Sequence, residues 1–185
     1  YVKPNNLNQS VNLNGQHQLE NEMLAITAIK QLTEFNIKDE SIEKGLSSII
    51  WPGRIQKIKS HPNVYYDVAH NEESFTSLCN YVNTLKGKKT LVLALQKYKN
   101  LNQAINKIES IFDEIIITET NIRNFISAKE LSAIFNINKI KIINPLIKAI
   151  QIYQSSSKTD NIIIAGSHYF GSAISKEFKI SFDNI

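Results

Sequence analysis

An α/β fold in three layers, with a mostly parallel sheet in the middle, is what this sequence predicts. Three observations lead there. Five short β-rich runs follow one another from Asn63 onward, and the intervals between them hold helical patterns. The 185 residues, 42% hydrophobic and 21% charged, are also enough for one domain with a real core. Continuous apolar strands joined by crossover helices need cover on both sheet faces, which two helix layers provide. Such a domain is Rossmann-like, and here it spans roughly residues 62–185.

The opening, residues 1–14, is Asn-rich and polar. Leu19 to Phe35 then carries Leu19, Met23, Ile26, Ile29 and Leu32 at helical spacing, which predicts a broad-faced helix that must be well covered. A second helix follows, with Asp39 or Ser41 as its cap and Ile42, Leu46 and Ile49 as its face. Trp51-Pro52-Gly53 ends it, because Pro lacks a donor and Gly permits an unusual turn. Strands are predicted at Val64–Val68, Thr90–Leu95, Glu114–Thr118, Ile140–Ile143 and Asn161–Ala165. Helices are predicted at Ser74–Leu85, Leu101–Ile111, Ser127–Phe135, Leu146–Tyr153 and Phe170–Phe178.

Composition narrows the function. The 21 Lys+Arg and 17 Asp+Glu give a net charge of +4, scattered along the chain, so no nucleic-acid surface is expected. No apolar run approaches the ~20 residues of a membrane span, and no secretory leader pattern opens the chain. The lone Cys79 shares a helical face with Phe75, Leu78 and Val82 and reads as a buried thiol in a reduced, cytoplasmic compartment. A chain that starts at Tyr1 is expected to be a piece of something longer.

In sheets of this kind ligands bind beyond the carboxyl ends of the strands. The first predicted strand ends in Asp67-Val68-Ala69-His70-Asn71, which gathers a carboxylate, an imidazole and an amide suited to a polar ligand. The plainer reading is a helix cap, worth about 1 kcal/mol. The last strand ends in Gly166-Ser167-His168, where backbone N–H groups favour an anion, unless this is a simple Gly turn. Gly166 and Gly171 have phosphate-loop separation, but Ser172-Ala173 stands where a Lys is needed, which excludes such a loop. Arg54 follows a Pro-Gly turn that either aims its guanidinium fork at phosphates or leaves it solvated. His17, His61, His70 and His168 lack ligand spacing and there is no Cys pair, so no metal site is expected in the chain.

Four segments then stand in order: Leu13-Asn14-Gly15-Gln16-His17-Gln18-Leu19-Glu20-Asn21; Gly45-Leu46 with Trp51-Pro52-Gly53-Arg54; Asp67-Val68-Ala69-His70-Asn71; and Gly166-Ser167-His168-Tyr169. Together they resemble the folylpolyglutamate synthase/dihydrofolate synthase family of the Mur ligase superfamily. The resemblance implies an ATP-dependent carbon–nitrogen ligase. Its chemistry would run through an acyl phosphate on a dihydropteroate or folate carboxylate, which the amino group of glutamate attacks. It also implies that residues 1–50 end a central ATPase domain and that 51–185 form the C-terminal domain. ATP and Mg²⁺ would be bound mainly by the absent N-terminal portion, whose phosphate loop is missing here, so this chain alone would be inactive.

Residue by residue, the resemblance assigns Asn21 to the adenine edge, Arg54 to the phosphates and Asp67 to the ribose. Asn71 would join them on the nucleotide, while His70 and Ser167 would hold the incoming glutamate, with Arg54 and His70 acting in catalysis. A monomer is implied. Two departures stand out. Leu95-Gln96-Lys97-Tyr98-Lys99-Asn100 occupies the place of a Gly followed by Asp-Lys-Asp, and Glu72 replaces a Pro. The alternative from a different class is a stand-alone, non-catalytic Rossmann-like binding module.

Overall fold

The computed structural model describes residues 12–120, 124–155 and 159–182. Two helices come first, α1 (Gln16–Lys30) and α2 (Asp39–Ser47), then strands β1 (Gln56–Lys59) and β2 (Asn63–Tyr66). From there helix and strand alternate: α3 (Glu72–Asn83), β3 (Lys89–Leu93), α4 (Ala104–Ile111), β4 (Glu114–Ile117), α5 (Ala128–Ser132), β5 (Ile140–Ile142), α6 (Leu146–Gln154), β6 (Asn161–Ala165) and α7 (Gly171–Phe178). A 3-10 turn at His168–Phe170 leads into α7. The strands form one six-stranded sheet in the order β1-β2-β6-β3-β4-β5. Only β1 is antiparallel to its neighbour; all other pairings are parallel.

Side-chain alternation along the strands builds two cores. Tyr65, Leu91, Leu93, Ile115, Ile117 and Ile163 point into the layer formed by α3, α4 and α5, where they meet Phe75, Leu78, Val82, Ile108 and Leu131. Val64, Tyr66, Val92, Ile116, Ile162 and Ile164 point the other way, onto Leu146, Ala149, Ile150 and Tyr153 of α6 and Ile174 of α7. The central strands are thus apolar on both faces, as a doubly covered parallel sheet requires. Two helices begin with full capping boxes, Asn71 with Ser74 on α3 and Ser127 with Glu130 on α5.

Three expectations need correction. The sheet begins at Gln56 and not at Pro62, because the polar edge strand Gln56-Lys57-Ile58-Lys59 has no apolar run to betray it and is held by pairing with β2. The second helix is capped by neither Asp39 nor Ser41: its N-cap is Lys38, and Asp39 is its first helical residue. The first helix stops at Lys30 and is not well covered. It buries the stripe Gln18, Glu22 and Ile26 and leaves Leu24 exposed, and Leu32 and Phe35, past its end, are exposed too. Ile26 with Ile42 and Leu46 makes a small cluster of its own between α1 and α2. Among the described residues, no helix is long and apolar enough to cross a membrane.

Cys79 lies fully buried on the inner face of α3, and burial pushes its thiol up to about 12 against the pull of Lys107. Almost none of it is thiolate at pH 8. A coloured aromatic disulfide added at pH 8 is therefore expected to label nothing until denaturant unfolds the chain, after which one thiol reacts. Fast labelling of the native protein would contradict this packing.

Candidate functional site

The site grows from the adjacent carboxyl ends of β2 and β6. The Asp67 N–H donates to the Ile164 carbonyl at 3.0 Å, which extends the β2–β6 ladder by one bond past Tyr66. This puts Asp67 and Gly166 at the same edge of the sheet. Gly166 is required there: its φ is 122°, and a Cβ would lie 1.9 Å from the carbonyl oxygen of Ala94, just beyond β3. Tyr66 ties the two strand ends together, since its hydroxyl reaches the carbonyls of Ser167 and His168, both at 3.1 Å. Burial, the first cause, and the nearby Asp67 charge push that phenol far above its ordinary value.

Asp67 is 7% exposed. Its Oδ2 accepts from the Ile55 N–H at 2.8 Å and its Oδ1 from the Ala69 N–H at 2.7 Å. Burial pushes the carboxyl above the usual range, while those two amides and the charges of Arg54 and His17 pull it back without cancelling the rise. One carboxylate thus links the end of β2 to the turn that carries Arg54. The guanidinium of Arg54 sits 5.6 Å from the centre of the Trp51 ring, and among the described residues it makes no hydrogen bond or ion pair. Together with Asn14, Ile49, Trp51 and Lys57 it lines a cavity of about 280 Å³.

The remaining predicted residues separate by what already occupies them. Asn21, exposed on α1, donates from Nδ2 to Oε1 of the Gln18 side chain at 3.1 Å, and Gln18 Nε2 lies 2.9 Å from His17 Nε2. His70 places Nδ1 2.9 Å from the Val68 carbonyl. A carbonyl can only accept, so Nδ1 carries the proton and Nε2 is left as the other functional atom. The Asn71 side chain is taken up by its cap, accepting from the Ser74 N–H at 2.9 Å and from the Ser74 hydroxyl at 2.6 Å. Ser167, 2% exposed, accepts from the Tyr169 N–H at 3.2 Å and caps the 3-10 turn. The structure brings Asp67, Arg54 and His17 into one electrostatic neighbourhood, and no hydrogen bond joins His70 to Ser167 among the described residues.

Sequence reading missed Asn14, whose Nδ2 donates to the Ile55 carbonyl at 2.9 Å across 41 residues. It also missed the hydroxyl of Tyr66. Neither leaves a local signal, because each partner is distant in sequence. In the loop after β3, where the resemblance departs, Tyr98 is 99% exposed with φ 67°. Among the described residues, no three His, Cys, Asp or Glu side chains lie together so as to hold a metal ion.

Comparison with known proteins adds a family. Residues 53–168 match the model described as Mur ligase, glutamate ligase domain. The chain is similar to the dihydrofolate synthase/folylpolyglutamate synthase of Bacillus subtilis, 32% identical over 173 residues, which is 89% of this chain and 40% of the relative. To the Mycobacterium tuberculosis protein of the same name it is 24% identical over 112 residues, covering 57% of this chain and 23% of the relative. The fold matches a solved Mycobacterium tuberculosis folylpolyglutamate synthase complexed with ADP and AMPPCP. There the TM-score is 0.82 and the identity 21%, over 91% of this chain and 41% of that one. It also matches E. coli FolC in complex with DHPP and ADP, with a TM-score of 0.81 and 20% identity over 95% of this chain and 41% of that one. The chain therefore spans at most about two fifths of each of these proteins.

The close approach at Gly166 makes a measurable demand. Gly166→Ala combines overpacking against Ala94 with left-handed strain and is expected to cost about 3 kcal/mol or more, lowering Tm by roughly 6–12 °C. Gly45→Ala is the control: a Cβ there meets nothing within 4 Å inside α2, so a gain of about 0.5–1 kcal/mol is expected. Thermal melts of both variants check this, and an unchanged Tm for Gly166→Ala would contradict the strand-end geometry.

Proposed function

The chain belongs to the Mur ligase, glutamate ligase domain family, and on that premise we propose that it is the C-terminal part of an ATP-dependent ligase that joins glutamate to a dihydropteroate or folate carboxylate. In this reading the γ-phosphate passes to the carboxylate, giving an acyl phosphate and ADP. The amino nitrogen of glutamate then forms the amide bond as phosphate leaves and a proton is released. The phosphate loop and the Mg²⁺ that goes with it belong to the portion of the protein preceding this one.

What carries the reading is the Arg54 turn. A guanidinium with no hydrogen bond or ion pair among the described residues, over the Trp51 ring and lining a cavity, sits at the start of the segment that matches the family. Its five donors suit phosphate oxygens. Asn21 would meet the adenine edge. Each oxygen of Asp67 keeps a second lone pair for the ribose, and Asn71 frames the same edge through its cap. His70, with Nε2 available, and Ser167, with a hydroxyl proton still to donate, would hold the glutamate. The exposed Leu24, Leu32, Phe35 and Trp51 support the remaining point, that residues 1–50 are the end of the ATPase domain and pack against the rest of it.

An Arg supplied from one domain to phosphates held by another acts fully only once closure excludes water. In the longer protein, Arg54→Ala is therefore expected to lower kcat/KM for ATP by about 10²–10³-fold, with Tm moving by less than ~2 °C. The 185-residue chain alone is expected to turn over no ATP. Normal ATP kinetics in Arg54→Ala, or robust turnover by the isolated chain, would remove the reading.

A further inference from the structure

Arg54 lies between two residues with left-handed backbones, Gly53 at φ 71° and Ile55 at φ 46°. For Gly this is free. A Cβ at Gly53 would, moreover, lie 2.6 Å from Cγ1 of Val68. For Ile55, β-branched and 1% exposed, the conformation is strained and persists only where the surroundings fix it. Those surroundings are specific. The Gly53 carbonyl accepts from the Val68 N–H at 2.9 Å, and the Gly53 N–H donates to Gln56 Oε1 at 3.0 Å. Ile55 is held at both of its backbone polar groups by side chains from outside the turn: its N–H by Asp67 at 2.8 Å and its carbonyl by Asn14 at 2.9 Å. Gly15, next to Asn14, approaches Ile55 so closely that a Cβ there would lie 3.1 Å from Cδ1 of Ile55. The start of α1 and the end of β2 thus grip the turn from two sides.

We propose that Asn14 and Asp67 are positioning residues for Arg54, which fix the strained backbone of Ile55 so that the preceding guanidinium is presented to the phosphates. This rests on Arg54 being the phosphate contact, as proposed above. Asp67 then acts on the nucleotide mainly through Arg54, and the ribose contact proposed above contributes the smaller part. Asn14 acts wholly through Arg54. The pairing also explains why Asp67 is buried: a carboxylate that must accept from Ile55 and Ala69 at once has to sit inside the chain and not at its surface.

A double-mutant cycle in the longer ligase separates acting through Arg54 from acting beside it. Asn14→Ala, Asp67→Asn and Arg54→Ala are measured singly, and the first two again in the Arg54→Ala background. KM for ATP and kcat are read for each, with Tm as a check on folding. Alone, Asn14→Ala and Asp67→Asn are expected to lower kcat/KM for ATP about tenfold or more. In the Arg54→Ala background each is expected to change it less than twofold. If the effects multiply instead, or if the two variants have no effect while Arg54→Ala does, the positioning role is wrong and the phosphate reading survives. If Arg54→Ala itself is without effect, the phosphate reading fails first and leaves nothing to position. Should Asp67→Asn fail to fold, Asn14→Ala, at an exposed position, decides the matter alone.

Discussion

A single buried carboxylate shared between two backbone amides is the constraint on which this molecule's candidate site depends. Asp67 ends β2, receives the N–H of Ala69 as the chain leaves the sheet, and receives the N–H of Ile55 from the turn that precedes the sheet. Leaving either amide unpaired in a buried setting costs about 1–3 kcal/mol, so the carboxylate determines where the turn can lie. That turn carries Arg54, and the polar segment before α1 closes on it through Asn14. Parallel pairing of β2 with β6 brings Ser167 to the same edge, and the Tyr66 hydroxyl fixes it there. The Arg54 turn and the two strand ends are therefore tied together by contacts that span the sequence.

The polar groups of the edge divide into those already used by the fold and those left over. Asn71 and Ser167 spend their acceptor oxygens on caps, and Asp67 spends one lone pair on each oxygen. What remains uncommitted is mainly donor capacity, at Arg54 and the Ser167 hydroxyl, together with Nε2 of His70. Donors aimed at one edge suit anionic groups. In the proposed reading they are half of a site, supplying positive charge and orientation to phosphates that another part of the longer protein cradles. Leu24 on α1 and Leu32, Phe35 and Trp51 in the segments after α1 and α2 are exposed, which agrees with the proposal that the rest of a longer protein covers them.

Much of this was legible in the sequence. Isoleucine-rich runs such as Asn161–Ala165 can hardly be anything but central strands, and that run is β6 to the residue. Asn71 was readable as a cap because an Asn just before a helical pattern is a preferred N-cap, and Ser74 completes the box. Other features were hidden for physical reasons. β1 is a polar edge strand whose pairing supplies what its composition lacks. The covered face of α1 is Gln18, Glu22 and Ile26, so the apolar spacing found Ile26 but could not show that an amide and a carboxylate are buried beside it while Leu19, Met23 and Ile29 are only half-buried. The link between Asn14 and Ile55, and the left-handed backbone it holds, arise only from the tertiary fold.

Native-state amide hydrogen exchange at Ile55 tests the central claim most directly. If the Asp67 carboxylate fixes the turn, the Ile55 N–H is protected to the same degree as the amides of β2, because it opens only when the end of that strand opens. Exchange at Ile55 as fast as in exposed loops, with β2 still protected, would contradict the account and make the Arg54 turn independent of the sheet edge.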